Sequence, residues 1–169
     1  MTHPPLSPAP PPAPSPSPSP SLSLDGGRHE NGPKRTVRGL LVKALLHERH
    51  DRGMTLEPFA SRCVRRGEVH ELVTTDQWSD QPGARVDRVG FLGFAELGCG
   101  GVLDRGDTLL LGGEPVGTVL GFDGCHLPNH YNILIHTPRL LTGRTLALAP
   151  ETPVTFVPAP PGGGTGTKR

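Results

Sequence analysis

Reactive side chains are concentrated in one ten-residue stretch of the chain, residues 123–132. It contains a carboxylate, a thiol, two imidazoles, two amides and a phenol, in the order Asp123-Gly124-Cys125-His126-Leu127-Pro128-Asn129-His130-Tyr131-Asn132. A histidine titrates near neutral pH, so an imidazole oriented by a carboxylate or an amide can move protons on a bound molecule. The stretch therefore predicts a site for general acid–base chemistry.

A turn at Pro128 would bring these side chains together. Proline suits the second position of a type I turn and asparagine tolerates the third, so we expect the chain to reverse at Leu127–His130. The candidate catalytic residues are His126, His130 and Asp123. The candidate ligand-binding residues are Asn129, Tyr131 and Asn132. We expect the side chains of all six residues to line one concave site.

The two histidines also have the His-x-x-x-His spacing of many metal sites. On a helix this spacing puts both rings on one face, but Pro128 disfavours a helix here. A turn could still bring the rings to one ion, with Asp123 or Cys125 as a third ligand. No set of cysteines and histidines has the spacing of a closed zinc site, so we assign no metal ligands. The sequence does not identify a cofactor, which stays unknown. A loop whose polar residues only bond its own backbone is the structural alternative.

Short apolar runs make up most of the sequence that must position this site. They are rich in Leu and β-branched residues and are separated by Gly, Pro, Asp and Asn, which is typical of strands. We predict an all-β fold, a small antiparallel barrel or sandwich of about eight to ten short strands. The predicted strands are Thr36–Leu46, Met54–Phe59, Glu68–Thr75, Ala84–Phe94, Gly101–Leu103, Thr108–Leu111, Glu114–Phe122, Tyr131–His136, Thr145–Leu148 and Val154–Val157.

Two stretches carry sharper local predictions. Residues 40–48 also place Leu and Ala at helical spacing, but we predict a strand because a turn at residues 51–53 leads into a second apolar run. The glycine pair at 112–113 can take the positive φ of a type I′ turn at both positions. It therefore predicts a hairpin that pairs Leu109 with Val116.

Proline and aromatic residues divide the 169-residue chain into three parts. Of 21 prolines, eleven precede Lys34 and three follow Phe156, whereas all seven aromatic residues lie between residues 34 and 157. An aromatic-containing stretch of that size can bury one core, and Pro/Ser/Ala-rich or Gly/Pro-rich ends cannot. We predict a single domain at 34–157 between disordered tails at 1–33 and 158–169.

Charge and hydropathy limit the partners. The formal net charge of +1 provides no global field for nucleic acid or membrane. Residues 34–66 are basic but contain Phe59 as their single aromatic, so nucleic-acid binding is disfavoured. Without a signal peptide or an apolar run of about 18 residues, we expect a cytoplasmic protein with a small-molecule ligand. The isolated cysteines are expected to be reduced thiols; they are Cys63, Cys99 and Cys125. The sequence does not indicate the oligomeric state.

Two stretches resemble a known family. The first is Arg88-Val89-Gly90-Phe91-Leu92-Gly93-Phe94, and the second combines Gly121-Phe122-Asp123 with His126-Leu127-Pro128-Asn129-His130-Tyr131-Asn132. Over about Val37 to Phe156 the chain resembles a small family of uncharacterised bacterial proteins associated with actinomycete biosynthetic gene neighbourhoods. The resemblance implies bacterial origin and a role in specialised metabolism, and it transfers no reaction, ligand or catalytic residue.

Two functional hypotheses follow. The first is a small proton-transfer enzyme, of the isomerase, cyclase or hydrolase type, that acts on a biosynthetic intermediate through a histidine near its ordinary pKa. The second is a non-catalytic ligand-binding or accessory protein of a biosynthetic pathway. They differ in whether the bound molecule is chemically changed.

Overall fold

The computed structural model describes residues 32–160, and the regular elements within them are all β-strands. The all-β prediction is confirmed. Within these residues there is no helix of the length and apolarity needed to span a membrane. The twelve strands are β1 Val37–Ala44, β2 Glu48–Arg49, β3 Met54–Thr55, β4 Ser61–Val64, β5 Val69–Thr75, β6 Arg85–Val86, β7 Val89–Leu97, β8 Gly101–Asp104, β9 Thr108–Leu111, β10 Glu114–Asp123, β11 Asn132–His136 and β12 Pro153–Val157.

The predicted tails fall almost entirely beyond the described residues. Residues 1–31 and 161–169 lie outside them, so the prediction of disordered ends stays a prediction, as do the domain bounds of 34 and 157.

Seven strands form a closed cycle of hydrogen-bonded pairs. The order of the main sheet is β1-β12-β9-β10-β11-β5-β7-β2, and β1 pairs with β7 as well as with β12. The pair β11–β5 is parallel, whereas the other pairs are antiparallel, so the main sheet is mixed and differs at this one pair from the antiparallel arrangement predicted from the sequence. A parallel pair needs a long connection, and residues 76–131 supply it.

Alternating side chains build two separate cores. The inner core receives residues from all seven strands of the cycle, including Leu72 and Ile133. The outer core covers the opposite face of β5, β7, β10 and β11 with residues such as Val73 and Leu134. Since adjacent residues of a strand point to opposite faces, Ile133 and Leu134 enter different cores.

A short two-stranded sheet covers the outer core. β3 pairs with β6, and Met54 and Val86 bury their side chains against Val73 and Leu134. The chain that leads into β3 therefore runs over the outer face of the main sheet, and it carries residues 45–53 towards the loop that follows β10.

The glycine hairpin is confirmed, with a change of register. Gly112 and Gly113 have φ values of 60° and 89°, and Leu111 pairs with Glu114 as expected. Further along, Leu109 pairs with Gly117 instead of Val116. The extra residue is a β-bulge, which shifts the remaining pairs by one position.

Other strand predictions differ from the structure for local reasons. Residues 40–44 continue β1, as predicted, but the expected strand Thr145–Leu148 is wrong because these residues form turns. There the N–H of Thr142 donates to Thr145 Oγ1 (2.8 Å), and the N–H of Thr145 donates back to Thr142 Oγ1 (3.2 Å). Hydroxyl groups that bond the nearby backbone in this way compete with a strand ladder.

Candidate functional site

Three buried polar side chains form a row on the outer face of the main sheet. Asn132 on β11 pairs with Glu71 on β5 and with Asp123 on β10. Paired residues of neighbouring strands point to the same face, so the three side chains lie side by side next to the outer core. Glu71, Asn132 and Asp123 are 6%, 0% and 3% exposed.

Asp123 is fully engaged by hydrogen-bond donors. Its Oδ2 accepts the N–H of Thr55 (2.9 Å), and its Oδ1 accepts Asn132 Nδ2 (2.8 Å) and the N–H of Cys125 (3.2 Å). Burial by itself raises the pKa of Asp123, but the hydrogen bonds from Cys125, Thr55 and Asn132 outweigh it and hold the pKa below its ordinary value. Asp123 is therefore an ionised anchor that ties the following loop to the sheet.

The loop between β10 and β11 brings two histidines together. It turns twice, with the N–H of Leu127 donating to Gly124 O (3.0 Å) and the N–H of Asn129 donating to His126 O (2.9 Å). The second turn lies one residue earlier than predicted and places Pro128 at its third position. The rings of His126 and His130 are stacked, with centroids 4.9 Å apart.

His130 faces Glu71 without bonding it. The His130 Nε2 lies 3.7 Å from Glu71 Oε2, and the two side chains are 10% and 8% exposed. Among the described residues, this buried Nε2 has no hydrogen-bond partner. The ring also packs edge-on against Phe94, which pairs with Glu71 on β7 (centroids 5.1 Å apart).

Burial favours the neutral form of both groups. It lowers the pKa of His130 and raises the pKa of Glu71, and in the second case electrostatic interactions with His126, Arg52 and His47 oppose the shift. The neutral His130 ring carries one nitrogen lone pair, which a cation can accept.

Glu71, His126 and His130 together form a group that can hold one metal ion, which we call the two-histidine cluster. One ligand atom from each lies within 4.8 Å of the others. In the sequence analysis, the third ligands considered beside the two histidines were Asp123 and Cys125, which lie in the same loop. In the structure the third side chain is Glu71, which a distant strand contributes.

Two residues of segment 45–53, which leads into β3, lie near this cluster. Arg52 Nη2 lies 2.7 Å from His126 Nε2 and 3.6 Å from Cys125 Sγ. A guanidinium can only donate, so His126 Nε2 is the acceptor of that bond. His47 stacks on Phe91 with centroids 4.2 Å apart.

The remaining predicted ligand-binding residues lie apart from the cluster. The Tyr131 ring packs with the inner core, where the Arg62 guanidinium lies 3.5 Å from its centroid and Phe59 meets it edge-on at 6.2 Å. Asn129 is exposed at the tip of the loop. Strand alternation explains the difference, because Tyr131 and Asn132 are consecutive and point to opposite faces.

Sequence reasoning missed Glu71, Arg52 and His47. One signal was available for Glu71, since a carboxylate in the middle of the apolar strand Val69-His70-Glu71-Leu72-Val73 must be either exposed or specially placed. Nothing comparable marks Arg52 or His47, whose positions depend on how their segment crosses the sheet.

An open groove lies elsewhere. Its volume is about 660 Å³, and it runs along β1. No residue of the two-histidine cluster lines it; the lining residues are Arg35, Thr36, Arg38, Gly39, Leu40, Gly98 and Cys99. The cluster itself is a narrow arrangement of converging ligand atoms beside an exposed loop.

Comparison with known proteins gives a family without an assigned activity. The model of a family of unknown function, DUF6917, matches residues 31–157. No curated protein and no solved structure matches the chain. The matched region includes Glu71, Arg52 and the whole loop with His126 and His130. The chain belongs to DUF6917.

Proposed function

We propose that this protein binds one divalent first-row transition-metal ion at Glu71, His126 and His130 and uses it for proton transfer on a small molecule. The observation that carries the proposal is the convergence of three ligand atoms within 4.8 Å around a buried His130 Nε2 that has no partner among residues 32–160.

The energetics favour a bound cation. A buried polar atom without a hydrogen bond costs about 1–3 kcal/mol, and the cluster adds a buried carboxylate to that cost. A metal ion accepts the lone pair of His130 and the charge of Glu71 at once. Two imidazoles and one carboxylate are a ligand set that zinc and other first-row ions accept.

The number of ligands supports a reactive centre. Structural zinc sites are closed by four protein ligands, whereas catalytic sites keep a position for water or substrate. Three residues leave such a position, and exposed His126 puts it next to solvent. When bound, an ion of this kind polarises a substrate oxygen and lowers the pKa of bound water.

The reaction belongs to the isomerase, cyclase or hydrolase type that the sequence predicts. Asp123 and Asn132 fix the loop that carries both histidines, so the chain holds its ligands in place before the substrate arrives. The resemblance to a bacterial family from biosynthetic gene neighbourhoods supports a role in specialised metabolism, with a biosynthetic intermediate as substrate. A non-catalytic protein that holds a metal-bound ligand is the alternative.

Metal content tests the proposal directly. The protein is purified without chelator and with its affinity tag removed, its metals are measured by elemental analysis, and the chelator-treated form is titrated with cobalt(II) and followed by visible absorption. We expect one ion per chain. Glu71→Gln, His126→Asn and His130→Asn should each weaken cobalt binding by more than the roughly 10- to 100-fold that loss of a ligand-orienting residue costs.

His50→Asn is the matched control, because His50 is an exposed histidine outside the cluster. It should bind cobalt like the unaltered protein. Circular dichroism of the metal-free variants shows whether each is folded. A protein that binds no ion, or a cobalt affinity that all three cluster variants leave unchanged, would contradict the proposal.

A further inference from the structure

Arg52 has hydrogen-bonding capacity that the protein does not use. Its Nη2 contacts His126 and Cys125, while its Nε and Nη1 donate to no acceptor among residues 32–160. Arg52 also forms no salt bridge among residues 32–160. The arginines that do so are Arg49, Arg62, Arg85 and Arg88. The half-buried guanidinium thus has two unused donors beside the two-histidine cluster, and each would form a paired fork with Nη2 once His126 Nε2 is given to a metal ion.

The fork has the shape of an oxyanion receptor. The planar guanidinium matches the two oxygens of a carboxylate or phosphate, and such paired hydrogen bonds are among the strongest in proteins. Half-burial reduces competition from water for these donors. An exposed lysine would offer neither property.

Charge balance points the same way. Asp123 is already occupied by three donors, and Glu71 is directed to the cluster. With a divalent ion bound, the ion and Arg52 carry more positive charge than the two carboxylates neutralise. An anionic ligand would restore the balance in this partly buried place.

We propose that Arg52 and the metal ion together bind the oxyanion of a small acidic substrate, with one oxygen directed to the ion and the guanidinium fork on the same group. This rests on the proposed metal site. It makes Arg52 a substrate-binding residue and restricts the substrate to small molecules that carry a carboxylate or a phosphate.

The existing contact to His126 belongs to the metal-free protein, because a neutral imidazole has one lone pair and offers it either to Arg52 or to a metal ion. Arg52 donates to His126 Nε2 at 2.7 Å, and its own N–H donates to Asp87 O at 3.0 Å. The backbone is fixed, and one guanidinium nitrogen is docked on the cluster. An ion bound to His126 would release this nitrogen, so the guanidinium, whose backbone stays anchored to Asp87, would become available to an anion next to the ion.

The test is anion binding to the full-length, cobalt-loaded protein. Acetate and inorganic phosphate are titrated separately at constant ionic strength, and the cobalt absorption bands report binding. We expect saturable spectral changes, which Arg52→Gln weakens about 10- to 100-fold while cobalt affinity stays the same or rises. The tighter of the two probes identifies the oxyanion as carboxylate or phosphate.

Two further variants keep the outcome clear. Arg49→Gln removes an exposed arginine of the same segment and should not change anion affinity. Arg52→Lys keeps the charge but loses the fork, so it should bind the anion with intermediate affinity and serves if the glutamine variant does not fold. Cobalt binding without any anion response, or equal responses in Arg52→Gln and unaltered protein, would overturn the inference alone. Failure to bind cobalt would overturn the proposed metal function and this inference with it.

Discussion

The two buried carboxylates of the outer face have opposite surroundings. Asp123 accepts three hydrogen bonds, and its pKa lies below the ordinary value because these bonds outweigh burial. Glu71 faces an imidazole nitrogen beyond hydrogen-bond distance, and burial raises its pKa. Asp123 therefore stabilises the fold, whereas Glu71 is retained at a cost to stability, as residues of functional sites often are.

Glu71→Gln should stabilise the metal-free protein. The substitution preserves shape and removes a buried charge that no hydrogen-bond donor among residues 32–160 compensates, so we expect the free energy of unfolding to rise by about 1–3 kcal/mol. Thermal unfolding in the presence of chelator measures it, with exposed Glu114→Gln as the control. With excess metal the order should reverse, since only the unaltered protein gains binding energy. A chelator-treated Glu71→Gln protein that melts below the unaltered one would refute this account.

The part of the site that is local in sequence was predictable. Polar density around Pro128 singled out His126, His130 and Asp123, and the structure places the two imidazoles in contact. Glu71 could not be assigned to the site from the sequence, because its position beside Asn132 depends on the register between β5 and β11. Tyr131 was assigned to the ligand because a turn was expected to gather all nearby side chains, whereas strand alternation sends its ring to the inner core.

At the scale of the elements, β7 closes the cycle by pairing on both edges. Gly93 lies opposite Leu72 of β5 and Ala44 of β1. Its φ of 148° is a conformation that side-chain-bearing residues rarely adopt, and a Cβ there would collide with the backbone oxygen of Lys43. Glycine therefore permits the close approach of β1 to β7.

Gly93→Ala should weaken the closure of the cycle. Because backbone would have to move, we expect a loss of at least about 2 kcal/mol in the free energy of unfolding, measured by urea denaturation. Gly98→Ala is the control, since Gly98 has no positive φ and its nearest contact for a Cβ is Arg38 O at 3.4 Å. Equal losses in the two variants would show that the Gly93 contact does not govern stability.

Element type was easier to predict from the sequence than pairing. The bounds Thr108–Leu111 are the same in prediction and structure, because turn residues flank an apolar run there. The bulge at Val116 and the parallel pairing of β5 with β11 were not predictable, because strand alternation is the same in parallel and antiparallel ladders. The predicted strand Ala84–Phe94 is divided into β6 and β7 in the structure. Between them the side-chain oxygen of Gln77 accepts the N–H groups of Asp87 and Arg88 (2.9 and 2.7 Å), a contact that strand patterning does not reveal.

At the scale of the whole described region, Asp107 ties its two ends together. Its buried carboxylate receives Lys34 Nζ from the start of the region and the N–H of Ala159 from its end (3.3 Å). Lys34 also pairs with Asp104 at 2.6 Å. Burial by itself raises the pKa of Asp104, but the hydrogen bonds from Lys34 and Ser61 outweigh it, so the pKa lies below its ordinary value.

Lys34→Met should therefore destabilise the protein in a pH-dependent manner. A carboxylate whose folded pKa is lowered adds stability above its unfolded pKa, near 3.9, and loses it as the pH falls through the folded value. The difference in unfolding free energy between the two proteins should be about 1–3 kcal/mol at neutral pH and shrink below about pH 4. Urea titrations between pH 3 and 7 measure it, and exposed Lys43→Met is the control. A difference that persists unchanged at pH 3 would argue against the ion pairs as its cause.

The pairing of β1 with β12 also affects how the protein is made. Translation produces β1 first and β12 last, so β1 waits for one of its two partners until residues 153–157 have left the ribosome. During that time the facing edges of β1 and β9 both lack the strand that later separates them. A chain that terminates before Pro153 would keep two unpaired edges, and such edges recruit other chains into aggregates.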